Sequence, residues 1–447
     1  MHELLRRAAT HAADFRASLP ERPIPARGEP GFGGPLPAAP TPPDKVLEEL
    51  IEAAEPALMA TPGPRFFGLV VGGALPAATA ADMLAVGWDQ LAFNDLVGPA
   101  PVAVEEAAGA WLKELLGIPA TASCGFVTGA QGANTVGLAA ARHHVLRAAG
   151  WDVERDGLIG APRVRVVASA ERHVTVDRSL RLLGFGARIV EEVRADANGA
   201  VDTEDLARVL DSREPAPTIV VLQTGNVNTG ACDDLRTAIP IVHRHGGWAH
   251  VDGAFGLWAA AAPQRRHLTD GVELADSWGC DGHKWLNVPY DSAFAFVSRP
   301  QVHAAALSMT AAYLTGAGGR QVADRTVESS RRARGFAVWA ALRELGRDGV
   351  AELVERCCRL ARRFADGLAD AGFEVANDVV LNQVLVSFGE GERTDEVIAA
   401  VQRDGTCWMG GTTWRGRRFM RIAVSNYATT EADVDRSVAA VVRCASR

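Results

Sequence analysis

DSWGCDGHKWLNVPYDSAFAFV, residues 276–297, sets Lys284 in a turn ahead of a buried apolar strand, AFAFVS (293–298). His283 precedes the lysine and Trp285 follows it. Any single lysine is first read as a surface charge. Here the flanks are apolar and aromatic, and lysine is scarce: Lys45, Lys113 and Lys284 are the only lysines beside a large excess of arginine. Arginine carries surface charge equally well, so a retained lysine points to amine chemistry. A lysine in desolvated surroundings can attack a carbonyl as the free amine and form a Schiff base.

Upstream, GGWAHVDGAFGLWAA (246–260) ends a buried strand on Asp252, with Gly253 and Ala254 behind it. Ligands of α/β sheets bind at the carboxyl ends of strands. An acid there, flanked by small residues, leaves room for a flat group. Alone, Asp252 reads equally well as a helix cap. Paired with Lys284 it suggests pyridoxal phosphate, which needs an amine for its aldehyde and a carboxylate to keep its ring nitrogen protonated.

Two further segments fit. CGFVTGAQGANTVGLAAARHHVL (124–146) runs from a strand through a Gly-rich turn into a helix from about Ala133. Amides of such a turn hold phosphate, and no lysine follows to make it a nucleotide loop. In SAERHVTVDRSLRLLGFG (169–186), His173 opens a helix after the strand VRVVAS (164–169). It is either an ordinary helix-start histidine or a ring that stacks on a pyridine face and reaches the reacting carbon.

Working outward, TIVVLQT (218–224) and WAHVDGA (248–254) join these strands in alternation with helical segments. Continuous apolar runs of this kind predict an α/β domain with a mostly parallel sheet. Residues 328–372 read as a long helix with a break near Gly346–Gly349. LNQVLVSF, RFMRIAVSN and TTEADVDRSVAAVV then read as a small α+β domain, with Thr430 and Asp433 as a helix start. At the other end, residues 2–18 form an amphipathic helix. A Pro/Gly-rich arm (20–43) and a second helix, from Asp44 to about Ala57, follow it.

Composition removes other classes. The net charge is −8, without a run of basic residues, which disfavours nucleic acid. No stretch of 18 apolar residues suggests a membrane span, and the N-terminus lacks the apolar core of a secretion signal. The seven cysteines form no CxxC pair, so no metal site is expected, and scattered thiols fit the cytoplasm.

The four segments, in this order, resemble fold-type I pyridoxal phosphate enzymes. They resemble more closely the group II amino-acid decarboxylases, which include the aromatic-amino-acid and glutamate decarboxylases. HVDGA with ADSWGCDGHKW carries the resemblance, and VVLQTGNVNTGACDDL (220–235) matches the strand and loop before the Asp strand. It implies a large domain with a seven-stranded, mostly parallel sheet (79–312) and a small α+β domain behind a connecting loop and long helix (313–447). An N-terminal helical arm (1–78) would pack on the partner of a homodimer, with active sites at the subunit interface.

The resemblance further implies that Lys284 forms the Schiff base, Asp252 pairs with the ring nitrogen, Ala254 packs on one ring face and His173 on the other. Ala130 and Gln131 would donate amides to the phosphate, with His283 beside it. Asp281 stands where the family often has Asn, and an acid there is unfavourable for phosphate. Asn226 is placed near the cofactor. The activity implied is decarboxylation of an L-amino acid to an amine. PGPRFFGLVVGGALP (62–76) resembles a substrate-lining segment. Phe66, Phe67 and Gly72 within it favour an aromatic or bulky apolar substrate, although the phenylalanines read equally as core. Arg421 lies roughly where aminotransferases hold a carboxylate in the ring plane, with a structural role the leading alternative.

The family's mobile loop carries a proton-donating tyrosine, whereas residues 314–336 contain none and Tyr313 is nearest. His173 or Lys284 would supply the proton instead. Otherwise oxygen would intercept the carbanion and give an aldehyde. A decarboxylative aldehyde synthase, or another carbon–carbon lyase, is therefore the alternative, an aminotransferase the third. A binding protein without turnover is disfavoured by the intact Lys284, Asp252 and His173.

Overall fold

The β-branched runs become the centre of the large sheet. The computed structural model describes residues 1–309 and 320–446. Its large sheet contains β1 (Ser123–Val127), β2 (Arg165–Ser169), β3 (Val190–Val193), β4 (Thr218–Gln223), β5 (Trp248–Asp252), β6 (Ser277–Asp281) and β7 (Ala293–Val297). The order is β1-β7-β6-β5-β4-β2-β3. All neighbours are parallel except β7, which runs antiparallel to both β1 and β6. Every residue of β4, β5 and β7 is buried, as continuous apolar runs require of strands covered on both faces.

β6 escapes the apolar pattern because it is built for close approach. Its sequence is SWGCD, and the helix Ala130–Ala148 lies directly over it. A Cβ on Gly279 would sit 2.8 Å from Asn134 Oδ1. The register pairs Gln223 with Asp252 and Asp252 with Gly279, so β4, β5 and β6 finish side by side at one edge.

A second, antiparallel sheet has the order β10-β11-β9-β8 and comprises β8 (Glu374–Val375), β9 (Gln383–Ser387), β10 (Gly410–Trp414) and β11 (Arg417–Ala423). The final helix, Glu431–Ala445, begins with a Thr430–Asp433 capping box, as its sequence anticipates. The long helix runs from Gly335 to Asp370 and breaks at Gly346, whose φ of 59° only glycine adopts readily. It starts later than the expected residue 328. Arg331 is drawn instead into a buried ion pair with Glu105, at 2.7 Å between Nη2 and Oε2.

The N-terminal helices His2–Ser18 and Pro43–Ala54 bury no residue. No described helix is long and apolar enough to cross a membrane. Cys124, Cys232, Cys280, Cys357, Cys358 and Cys407 are free thiols, and the described residues contain no metal-holding cluster.

Candidate active site

At the shared edge of β4, β5 and β6 lies a cavity of about 220 Å³. Eight of the nine expected cofactor residues line it: Ala130, Gln131, His173, Asp252, Ala254, Asp281, His283 and Lys284. They come from four separate segments, each at the carboxyl end of a strand or the start of the next helix.

Lys284 follows β6 by three residues. Its Nζ lies 2.9 Å from Asp281 Oδ2 and 6.0 Å from the centre of the Phe255 ring. Asp252 closes β5 and is only 4% exposed. Its Oδ2 accepts from Asn134 Nδ2 at 3.0 Å, and its Oδ1 accepts from the Ala254 N–H at 3.3 Å. His173 caps the helix Val174–Leu182, with Nδ1 accepting the Thr175 N–H. Burial holds the His173 pKa below the ordinary histidine value against the pull of Asp252, and Lys284 and Arg421 add to the lowering. A neutral ring with Nδ1 accepting carries its proton on Nε2. His283 Nδ1 accepts the Ser292 N–H at 3.1 Å, and its ring stacks on Tyr290 with 4.3 Å between centres.

The helix Ala130–Ala148 starts three residues earlier than its glycines suggest. Ala130 and Gln131 are therefore first-turn residues, where amides lack intrahelical partners. One is already engaged: Asp281 Oδ1 accepts the Ala130 N–H at 2.6 Å. The Gln131 carboxamide donates to Ser179 Oγ at 2.9 Å, while its buried Oε1 has no partner.

Other expectations need correction. Asn226 does not line the cavity. Its Oδ1 accepts the Asn228 and Thr229 amides and its Nδ2 donates to Glu171 O, so it shapes the loop whose neighbours Gly225 and Val227 face the cavity. Phe66 and Phe67 are core residues. Phe66 stacks on Trp408 at 5.0 Å, and Phe67 packs edge-on to Phe364 at 4.8 Å. Arg421, on β11, lies behind the lining and donates to Val227 O at 2.8 Å. Tyr313 lies outside the described residues. Phe255, Gln223 and Thr175 line the cavity without having been anticipated. Phe255 directly follows the VDGA turn, a signal that was available.

Gly72 is not a cavity wall but packs against the turn that carries Lys284. A Cβ there would lie 2.0 Å from Lys284 O, and next to it the Gly73 N–H donates to Asn287 Oδ1 at 2.6 Å. Gly72→Ala must push back the backbone that carries Lys284. We expect a loss of roughly 1–3 kcal/mol in stability and at least about tenfold in cofactor affinity. Thermal melting and cofactor titration measure the two. Gly87→Ala, inside the helix Pro76–Trp88 with nothing within 4 Å, should leave cofactor affinity unchanged and should not lower stability.

A doubly covered α/β sheet with an amine, an acid, an imidazole and a helix N-terminus at its carboxyl edge is the arrangement of the fold-type I pyridoxal phosphate-dependent enzymes. Residues 29–389 match the family described as the pyridoxal-dependent decarboxylase conserved domain, and the chain belongs to that family. It is 27% identical to tryptophan decarboxylase 1 of Oryza sativa subsp. japonica, covering 94% of this chain and 89% of that protein. The crystal structure of Oryza sativa TDC with PLP and tryptamine aligns over 100% of this chain and 97% of its own, at a TM-score of 0.91 and 23% identity. The structure of Rhodiola rosea 4-hydroxyphenylacetaldehyde synthase aligns over 99% and 98%, at a TM-score of 0.87 and 22% identity.

The chemistry of these lining residues suits the cofactor: Lys284 would meet the aldehyde, Asp252 the ring nitrogen, His173 and Ala254 the two faces, and the first turn at Ala130 the phosphate. Asp281 is the discordant member. Its carboxylate takes an amide that a phosphate would use, and like charges repel. Asp281→Asn is therefore expected to bind pyridoxal phosphate about tenfold more tightly, read by absorbance titration of the cofactor-free protein. A weaker affinity would mean that its hold on Lys284 outweighs the repulsion.

Proposed function

We propose that this decarboxylase acts on an aromatic or bulky apolar L-amino acid, releasing carbon dioxide and the corresponding amine. The observation that carries the reading is the convergence of Lys284 and Asp252 on one cavity at the carboxyl edge of the sheet. The substrate class is supported by the Phe255 wall and by the activity named for the Oryza relative.

When bound, pyridoxal phosphate supplies an aldehyde carbon for amines and a protonated ring that takes up the electron pair left by departing carbon dioxide. The chain does the rest. Lys284 Nζ would hold the aldehyde and give way to the substrate amine. Asp252 would keep the proton at the ring nitrogen, and His173 and Ala254 would flank the ring. After carboxylate loss, His173 Nε2–H or the freed Lys284 amine returns a proton to the α-carbon. Arg421 donates one Nη1–H to Val227 O, which supports a structural role in positioning that loop rather than the carboxylate clamp of an aminotransferase.

A second reading has a specific basis. Residues 314–336 hold no tyrosine, and one structural relative is named an aldehyde synthase. Carbon dioxide, amine, aldehyde, peroxide and oxo acid are measured from a panel of L-amino acids with the cofactor-loaded protein. Equal carbon dioxide and amine is the expected result. Aldehyde with peroxide supports the second reading, and oxo acid without carbon dioxide overturns both.

The arm (1–78), large domain (79–312) and C-terminal region (313–447) are proposed to act within a homodimer. The N-terminal helices leave Leu5, Val46 and Leu50 exposed, and the helix Pro76–Trp88 leaves Met83, Leu84, Val86 and Trp88 exposed. These exposed apolar side chains support the reading of this face as an interface. Sedimentation should give twice the chain mass, and Leu50→Asp with Trp88→Asp should give monomers of low activity. The free thiols of Cys124, Cys232, Cys280, Cys357, Cys358 and Cys407 support a cytoplasmic setting.

A further inference from the structure

Behind Asp252 runs a buried polar chain that the chemistry above leaves unused. Trp248 Nε1 donates to Ser277 Oγ at 2.9 Å, and Ser277 Oγ lies 2.8 Å from His250 Nδ1. His250 Nε2 lies 3.0 Å from Asn134 Oδ1, and Asn134 Nδ2 donates to Asp252 Oδ2 at 3.0 Å. Ser277, His250 and Asn134 are each 0% exposed. Trp248, His250 and Asp252 alternate along β5 and so share one face. Ser277 is the register partner of His250 on β6, and Asn134 comes down from the covering helix.

The direction of every bond follows from its ends. A carboxylate only accepts, so Asn134 turns its amide nitrogen to Asp252 and its Oδ1 to His250. The ring nitrogen facing Asn134 must then carry the hydrogen, which leaves Nδ1 of the neutral ring to accept from the Ser277 hydroxyl. An indole nitrogen only donates, so the Ser277 oxygen accepts from Trp248. Burial alone pushes the His250 pKa down to about 3, which keeps the ring neutral and the direction intact.

The packing has been opened for this chain. A Cβ on Gly137 would lie 2.5 Å from His250 Cε1, and one on Gly279 would lie 2.8 Å from Asn134 Oδ1. Two glycines, on the helix and on β6, vacate the space that the imidazole and the carboxamide fill.

We infer that Trp248, Ser277, His250 and Asn134 form a one-way series of hydrogen-bond donors that ends on Asp252 and holds that carboxylate, as an acceptor, against the cofactor ring nitrogen. They are positioning residues, and the inference rests on the proposed role of Asp252. Asn134 is the last link, and His250 acts only through it.

Asn134→Leu should lower kcat about 10- to 100-fold. KM should stay within about threefold, because the substrate touches neither residue. The bound cofactor should lose intensity in its visible band at unchanged stoichiometry. His250→Phe should do the same, and the double variant should be no worse than the more damaged single one, since both cut one series. His250→Gln, which keeps a donor for Asn134, should recover most of the band. Multiplying effects, or a wild-type band in folded His250→Phe, would overturn the inference.

Histidine-selective ¹⁵N NMR on the unmutated protein covers the case in which the variants do not fold. His250 should be a neutral Nε2–H tautomer with or without cofactor, and an Nδ1–H tautomer sinks the series. The NMR result does not depend on turnover. Borohydride trapping of cofactor on Lys284 separately checks the reading of the site.

Discussion

Lys284→Ala should bind no cofactor covalently and should release carbon dioxide at least about 10⁴-fold more slowly than the parent protein. The three lysines make this test unusually clean. Lys45 is a surface residue 3.8 Å from Glu49. The Lys113 amine donates to Ala120 O and Ala122 O, tying off the turn after its helix. Lys284 alone lines the cavity. The visible absorbance of the loaded protein should vanish, and borohydride should leave no label on the peptide that spans residue 284. Lys284 also pairs with the buried Asp281, so alanine removes a charge as well as an amine. Lys284→Arg separates the two: a guanidinium keeps the charge near Asp281 yet cannot carry out the amine's chemistry. Both variants should be inactive, with Lys284→Arg the more stable on melting. A visible band that survives in either would place the covalent bond elsewhere and dismantle the site.

What could be read in advance follows physical lines. β2, β4, β5 and β7 announced themselves because strands buried on both faces need unbroken apolar runs. β6 did not, since Ser277, Gly279 and Cys280 are small to admit the helix above, and that demand comes from the partner element. The meeting of Lys284 and Asp252 at one cavity was legible because a scarce amine and a strand-end acid are local signals. The relay to Asp252 was not, because Asn134 and His250 meet only once the helix lies on β5, and neither has a chemically rare neighbourhood in the chain. Phe66 and Phe67 show the converse failure: an aromatic pair looks the same in a core as in a pocket. Asn226 misled for a related reason. Its loop does border the cavity, but its side chain is consumed by its own backbone neighbours.

Asp252 carries the second large effect, and its substitutions separate holding a proton from holding a position. Asp252→Asn preserves shape and removes charge. A neutral amide beside the ring nitrogen no longer favours the protonated heterocycle, and the ring loses much of its capacity to take up electrons. A decrease in kcat of about 10²- to 10⁴-fold is expected, with KM changed little, because preorganised charge acts on the transition state more than on binding. The structure adds a second consequence. Asn134 Nδ2 now donates to a carboxylate oxygen, and in the variant the asparagine amide can turn its own NH₂ toward that donor, so part of the loss is positional. A cofactor analogue methylated on the ring nitrogen is positively charged whatever residue 252 is. If the carboxylate acts through the proton, this analogue should return at least about tenfold of the lost rate to Asp252→Asn and do nothing useful in the parent protein. If Asp252 acts mainly as a clamp, the analogue recovers nothing, and Asp252→Glu, which keeps the charge but moves it by a methylene, should be as slow as the amide variant. An Asp252→Asn protein within about threefold of the parent would remove the acid from the mechanism altogether.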